Sequence, residues 1–314
     1  MKKIIISCLL TAVVMTIGFV LGAGYFIGNY LVSFGLERGT YGGHTEPPRA
    51  FALLMPPESR QYDRPDYLSE PWEMQSGDGL HLTATHFSPQ VTSNKWVIVA
   101  HGYGCNQTNS YYIAENYLMM GYHVLTPDLR ASGESEGKFL TMGLYESNDV
   151  TRWAGKIAMH YPEARIVLHG VSMGAATVMM AQDFPLPSNV KGIIDDCGFS
   201  DTWEEVRQFG RIYHIHPSCL LMPVLNLFCR LRIGIDLHEA SPKKALKTAR
   251  LPILMIHGTA DKLVPIRNSF ENYAACRAPK RLVEVEGADH IQSYFTDPEL
   301  YEREVLAFFE RCGI

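Results

Sequence analysis

The chain opens on an uninterrupted apolar stretch. After Met1-Lys2-Lys3, residues Ile4 to Ile27 carry no charge, and the first charged side chain beyond them is Glu37. A run this long with no polar face predicts a bilayer-crossing helix rather than a buried core helix. Lysines before the run and none just after it place the N-terminus inside and the remainder outside the membrane. A cleaved signal peptide is the rival reading, with Gly22-Ala23-Gly24 as small residues for a peptidase, although the run exceeds the usual apolar region of such signals. Residues 1–34 are thus an anchor or signal segment. Residues 35–70, rich in Gly, Pro, Tyr and charge, predict a linker.

From about residue 71 the pattern changes. Trp72 to Ser76 and Leu80 to Phe87, separated by Gly77-Asp78-Gly79, predict a β-hairpin. Short apolar runs then alternate with amphipathic stretches. Strands are predicted at Trp96–Ala100, His123–Thr126, Ile166–Leu168, Val190–Ile194, Pro252–Ile256 and Arg281–Val285. Helices are predicted over about Thr108–Met120, Tyr145–His160, from Met173 onward, Asn268–Cys276 and Pro298–Arg311. This alternation predicts an α/β domain over 71–314, with a mostly parallel sheet covered by helices on both faces. Between about Phe199 and Leu246 the alternation breaks. Trp203, Phe209, Leu220, Leu221, Val224, Leu227, Phe228 and Leu231 fall at helical spacing, which predicts a cap of two or three short helices over the strand ends.

Length and charge narrow the picture. The 314 residues suffice for one large α/β domain with an appendage, and the net charge of −5 offers no basic surface for nucleic acid. Of seven cysteines, none falls in a C-x-x-C pair or a zinc-like spacing with histidine. Buried free thiols are the expectation, with a Cys219–Cys229 disulfide as the alternative. His214 and His216 stand two apart in the cap segment without a third ligand at suitable spacing.

Candidate chemistry centres on Gly170-Val171-Ser172-Met173-Gly174, between a strand and a helix. The pattern G-x-S-x-G describes a sharp turn that lifts a serine to its apex. Glycines there avoid collisions in a strained backbone, and the helix start directs N–H groups toward the serine. A structural turn serine is the plainer alternative. A serine hydroxyl needs a base to take its proton, and the base needs an orienting group. Asp261 and His290 both follow strand ends, in the chain order Ser, Asp, His. His290 is the candidate general base and Asp261 its orienting acid, with Asp195 and Asp196 as rivals for the latter. Backbone N–H groups of Met173 and Tyr103 are the candidate oxyanion donors. Asp289 reads as a loop cap, His101 and His257 as loop supports, and His169 as a core residue.

These motifs resemble those of the α/β-hydrolase superfamily, and most closely its membrane-anchored bacterial serine hydrolases. The resemblance spans about residues 70–312. It rests on His101-Gly102-Tyr103-Gly104, Asp128-Leu129-Arg130 with Gly133-Glu134-Ser135, the Gly170–Gly174 turn, His257-Gly258-Thr259-Ala260-Asp261 with Val264-Pro265, and Gly287-Ala288-Asp289-His290. Many relatives carry Arg-Gly-His-Gly-x-Ser where this chain has Arg130-Ala131-Ser132-Gly133-Glu134-Ser135, in a loop that rims the family's site. The resemblance implies a serine hydrolase acting on acyl substrates, esters first and small amides second, that needs neither metal nor organic cofactor. An acyltransferase and a non-catalytic binding protein on the same fold remain as alternatives. The cap's Met, Leu and Phe content suits either an apolar acyl pocket or simple packing. The expected location is the cell membrane, single-pass, with the catalytic domain outside, or secretion after signal cleavage.

Overall fold

The computed structural model describes residues 2–38, 62–212 and 221–314. Most of the expected linker, His214, His216 and Cys219 lie outside these residues. The first element is a 35-residue helix, α1 (Lys2–Leu36). It continues past the apolar run that ends at Ile27 because its last turns meet the folded domain. Gly28, Val32 and Leu36 recur at a spacing of four and are buried there.

An eight-stranded sheet carries the rest of the chain. Its strands are β1 (Ser69–Gln75), β2 (His81–Phe87), β3 (Lys95–Ala100), β4 (His123–Pro127), β5 (Arg165–Val171), β6 (Val190–Asp196), β7 (Ile253–Gly258) and β8 (Lys280–Val285). The spatial order is β1-β2-β4-β3-β5-β6-β7-β8. The β1–β2 and β2–β4 pairs are antiparallel, and every later pair is parallel. The hairpin therefore forms one edge, and the chain crosses over helices from β3 onward. Strands β3 and β5 are almost wholly buried, as near-continuous Val/Ile/Leu runs demand when both faces are covered.

The main connecting helices are α2 (Tyr111–Met119), α3 (Glu146–His160), α4 (Met173–Met180), α7 (Arg267–Ala275) and α8 (Pro298–Arg311), with cap helices α5 (Thr202–Ile212) and α6 (Leu221–Arg232) between β6 and β7. The expected helix from Thr108 begins instead as a 3-10 turn at Gln107–Ser110, held by an Asn106–Asn109 capping box. At the C-terminus, the Asp297 carboxylate accepts the Leu300 N–H and Pro298 occupies the first turn, fixing where α8 starts.

The loop after β4 is tied down by charge. Asp128 accepts from the Gln107 amides and the Glu134 N–H. Arg130 is buried and forks onto Asp149 at 2.7 and 2.9 Å, with Asp78 on its other side. Removing one member of such a buried pair costs about 3–5 kcal/mol. These contacts make the Asp128–Ser135 segment a fixed wall of the fold.

Candidate active site

Four strand ends converge at one point. Ser172 sits at the β5–α4 elbow with φ 56° and ψ −116°, a conformation rarely open to a side-chain-bearing residue. Its N–H donates to the Asp196 carbonyl at 2.8 Å, which helps hold the strained turn. Two glycines make the elbow feasible. A Cβ at Gly170 would strike the Gly174 carbonyl, and one at Gly174 would strike the Ala100 carbonyl at the end of β3. Gly102 passes so close that its own Cβ would come within 3.5 Å of the Ser172 Cβ. The His101–Gly104 turn therefore lies directly beside the serine.

His290, on the loop after β8, bridges two of the other predicted residues. Its Nε2 lies 2.9 Å from the Ser172 Oγ and its Nδ1 lies 2.7 Å from Asp261 Oδ2. All three side chains are buried. Asp261 Oδ1 accepts the N–H groups of Leu263 and Val264 at 2.9 and 2.8 Å, so the carboxylate is pinned with its second oxygen toward His290. His257 Nε2 approaches that same oxygen at 3.2 Å and the Val264 carbonyl at 2.8 Å. A carbonyl only accepts, so this nitrogen carries a proton. Burial alone would raise the Asp261 pKa, but the charge of His290 and hydrogen bonds from both histidines outweigh it and hold the carboxyl well below its usual range. For His257, burial opposes protonation, yet the hydrogen bond and charge of Asp261 leave its pKa raised.

The rival acids are engaged elsewhere. Asp195 Oδ1 accepts the Gly198 N–H, and burial pushes its pKa to about 7. Asp196 Oδ2 accepts from the Tyr301 hydroxyl at 2.8 Å, and burial pushes its pKa to about 6. Tyr301 and Tyr117 flank His169, whose pKa burial lowers to about 3, so that ring is a neutral core group. Asp289 accepts the N–H groups of Lys262 and His290, shaping the loop that carries the histidine. His101 donates from Nδ1 to the Gly102 carbonyl and accepts the Leu129 N–H at Nε2, which fixes the turn beside Ser172.

Met173 is the first residue of α4, where backbone N–H groups have no acceptor within the helix. Tyr103 follows Gly102 in the adjoining turn. Its hydroxyl donates to the Gly35 carbonyl at 2.6 Å, and its ring lies edge-on to Phe209 of α5 at 5.8 Å. The candidate oxyanion loop is thus held between the end of α1 and the cap.

Three neighbours of the site are not marked by any motif in the sequence. Cys197 is buried at φ 51°, and its sulfur lies within 4.8 Å of the ligating atoms of Asp261 and His290. Sulfur, imidazole and carboxylate together are a donor set that a borderline ion such as Zn²⁺ accepts. Against that, burial, with the charges of Asp196 and Asp261, keeps the thiol pKa well above its ordinary value, and His290 and Asp261 already satisfy each other. Glu205 of α5 is buried, and one of its carboxyl oxygens has no hydrogen-bond partner among the described residues. Burial and the Asp261 charge push its pKa to about 8, with Arg267 opposing. A lone acid on the inward face of a cap helix was the available signal. Gly35 carried none, because its role depends on where α1 ends in space.

A serine raised on a strand–helix elbow thus meets a histidine and a buried acid carried on later strand ends of the sheet. Residues 97–304 match the model of the alpha/beta hydrolase family, and the chain belongs to that family. Among its relatives, the uncharacterized YqkD of Bacillus subtilis is 28% identical over 239 residues, 76% of this chain and 78% of that protein. Human monoglyceride lipase is 20% identical over 248 residues, covering 69% of this chain and 82% of the lipase. An esterase of Pyrococcus furiosus, Pf2001, superposes with a TM-score of 0.63 at 22% identity, over 78% of this chain and 91% of the esterase. The superposition on the esterase shows the shared fold.

Proposed function

We propose that the protein is a membrane-anchored serine hydrolase that cleaves carboxylic esters. The observation that carries this reading is the continuous hydrogen-bonded chain from Ser172 through His290 to Asp261 beneath a strained elbow. His290 Nε2 takes the Ser172 proton as Oγ attacks the acyl carbonyl. The developing oxyanion is received by the N–H groups of Met173 and Tyr103. The protonated His290 then gives its proton to the leaving alcohol, and the acyl group stays on Ser172. Water, deprotonated by His290, releases the acid and restores the serine. Throughout, Asp261 holds His290 in the tautomer with its proton on Nδ1.

Helix α1 supplies the anchor. Its segment Leu9–Leu36 is long and apolar enough to span a bilayer. The charge bias around it favours a catalytic domain on the outer side.

Hydrolysis of p-nitrophenyl esters from acetate to decanoate, beside aminoacyl p-nitroanilides, tests the reading with wild type and Ser172→Ala. Ester turnover that Ser172→Ala abolishes is the expected outcome. Anilide turnover without ester turnover would make the protein a peptidase. Turnover unchanged in Ser172→Ala would remove the serine from the mechanism.

A further inference from the structure

Cap helix α6 runs alongside the anchor in the same direction. Phe228 packs on the lower part of the contact, against Tyr25 at 5.8 Å between ring centroids and over Gly28, where a Cβ would strike its ring. Four residues later, Arg232 reaches higher positions on α1. It donates to the Asn29 carbonyl at 2.8 Å and the Ser33 hydroxyl at 2.9 Å, and pairs with Glu37 at 2.8 Å. Moving up α6 is therefore moving up α1.

That direction matters because α6 has a polarity gradient. Leu221-Met222-Pro223-Val224-Leu225-Asn226-Leu227-Phe228 carries no charge, whereas Arg230 and Arg232 follow at the other end. Leu227 and Leu231, one turn apart, are 52% and 71% exposed, facing away from the core. Spanning a hydrocarbon core of about 30 Å takes about 20 residues. Counted back from Gly24, such a segment starts near Ile5, just past the lysines at the far end. Tyr25, Phe26 and Tyr30, all exposed, then mark the membrane–water boundary. Phe228 docks at that boundary. With about 1.5 Å of rise per residue, Leu221 lies about 10 Å below it.

We propose that α6 is seated in the outer leaflet. Its uncharged half dips beside α1 into the acyl region, Arg230 stands at the phosphate level, and a lipid bilayer covers the Leu227–Leu231 face. The inference rests on the anchor reading of α1 and deepens the proposed function. A cap helix seated there would let the site draw its acyl substrates from the membrane itself.

The test uses full-length protein in phosphatidylcholine vesicles containing lipids brominated near the top of the acyl chain. Leu227→Trp is compared with Phe26→Trp on the anchor and Glu239→Trp on an exposed cap turn, each read as the quenching increment over wild type. Quenching at positions 26 and 227, with none at 239, is expected. Quenching at 26 alone would overturn the seating of α6 while leaving the anchor intact. No quenching at 26 would overturn the anchor and this proposal together. None of these readouts needs catalysis, so they stand or fall separately from the hydrolase reading. A second arm measures Leu227→Asp/Leu231→Asp. Hydrolysis of a long-chain ester embedded in vesicles should fall at least tenfold, with p-nitrophenyl acetate turnover unchanged. Equal retention of both activities would contradict the proposal. So would disulfide cross-linking of Leu231→Cys chains into dimers, which would make a second copy the partner of this face.

Discussion

Replacing Asp261 with asparagine changes one atom in a site whose geometry dictates the result. Asp261 Oδ1 accepts two backbone N–H groups, from Leu263 and Val264. Only an oxygen can fill that position, so the asparagine carbonyl stays there and its NH2 group takes the place of Oδ2. That NH2 then faces His290 Nδ1, which lies 2.7 Å from Oδ2 in the wild type. The ring can accept this donor only by moving its proton to Nε2. Nε2–H would then point at the Ser172 Oγ and could no longer take its proton. The same substitution removes the negative charge that stabilises the imidazolium. The expected loss is about 10⁴-fold in kcat, or roughly 5 kcal/mol of transition-state stabilisation, with KM little changed. Steady-state hydrolysis of p-nitrophenyl butyrate by purified wild type and Asp261→Asn measures it. A variant within tenfold of wild type would mean that Asp261 does not set the His290 tautomer. A loss that appeared in Asp196→Asn instead would move the acid to the end of β6.

Glu205 gives a pH prediction. Its pKa is raised from 4.5 to about 8, so the folded state keeps a proton that the unfolded chain has lost. The stability this contributes is full below about pH 4.5 and is lost as pH rises through about 8. Glutamine mimics the neutral carboxyl. Glu205→Gln should therefore unfold near the wild-type temperature at pH 4.5 and on the order of a few degrees higher at pH 8.5; a pH-independent gap would contradict this. Gly174→Ala drives a methyl group into the Ala100 carbonyl and should cost about 3 kcal/mol or more, or prevent folding. Gly155→Ala, with nothing near its Cβ in α3, is the control and should gain up to about 1 kcal/mol in urea unfolding. Equal behaviour of the two alanines would show that the elbow tolerates a side chain.

Much of the fold follows from local pattern. The helix Pro298–Arg311 has its bounds in the sequence because Asp297 and Pro298 form a start signal whose partners lie within one turn. The buried strands were legible because both sheet faces are covered, which leaves short apolar runs with little ambiguity. The elbow was legible because its glycines are needed for clearance against backbone a few residues away or on the next strand. What stayed hidden depends on distant parts of the chain. Gly35 and Glu37 look like the start of a linker, yet Gly35 binds the Tyr103 hydroxyl and Glu37 pairs with Arg232. The Asp128–Ser135 loop suggested a substrate rim through resemblance. Its Asp128 and Arg130 also bind Gln107, Asp149 and Asp78, contacts that spacing along the chain does not reveal. Cys197 reaches the Asp261–His290 pair only because β6 and β7 are neighbours in the sheet.

Covalent labelling asks whether Ser172 is an activated nucleophile. Purified full-length protein is treated with a fluorophosphonate, digested, and the modified peptide mapped by mass, alongside Ser172→Ala and His290→Ala. One adduct is expected, on Ser172, absent from Ser172→Ala and strongly reduced in His290→Ala. An adduct on another residue, or labelling of Ser172 that persists undiminished in His290→Ala, would contradict an activated Ser172.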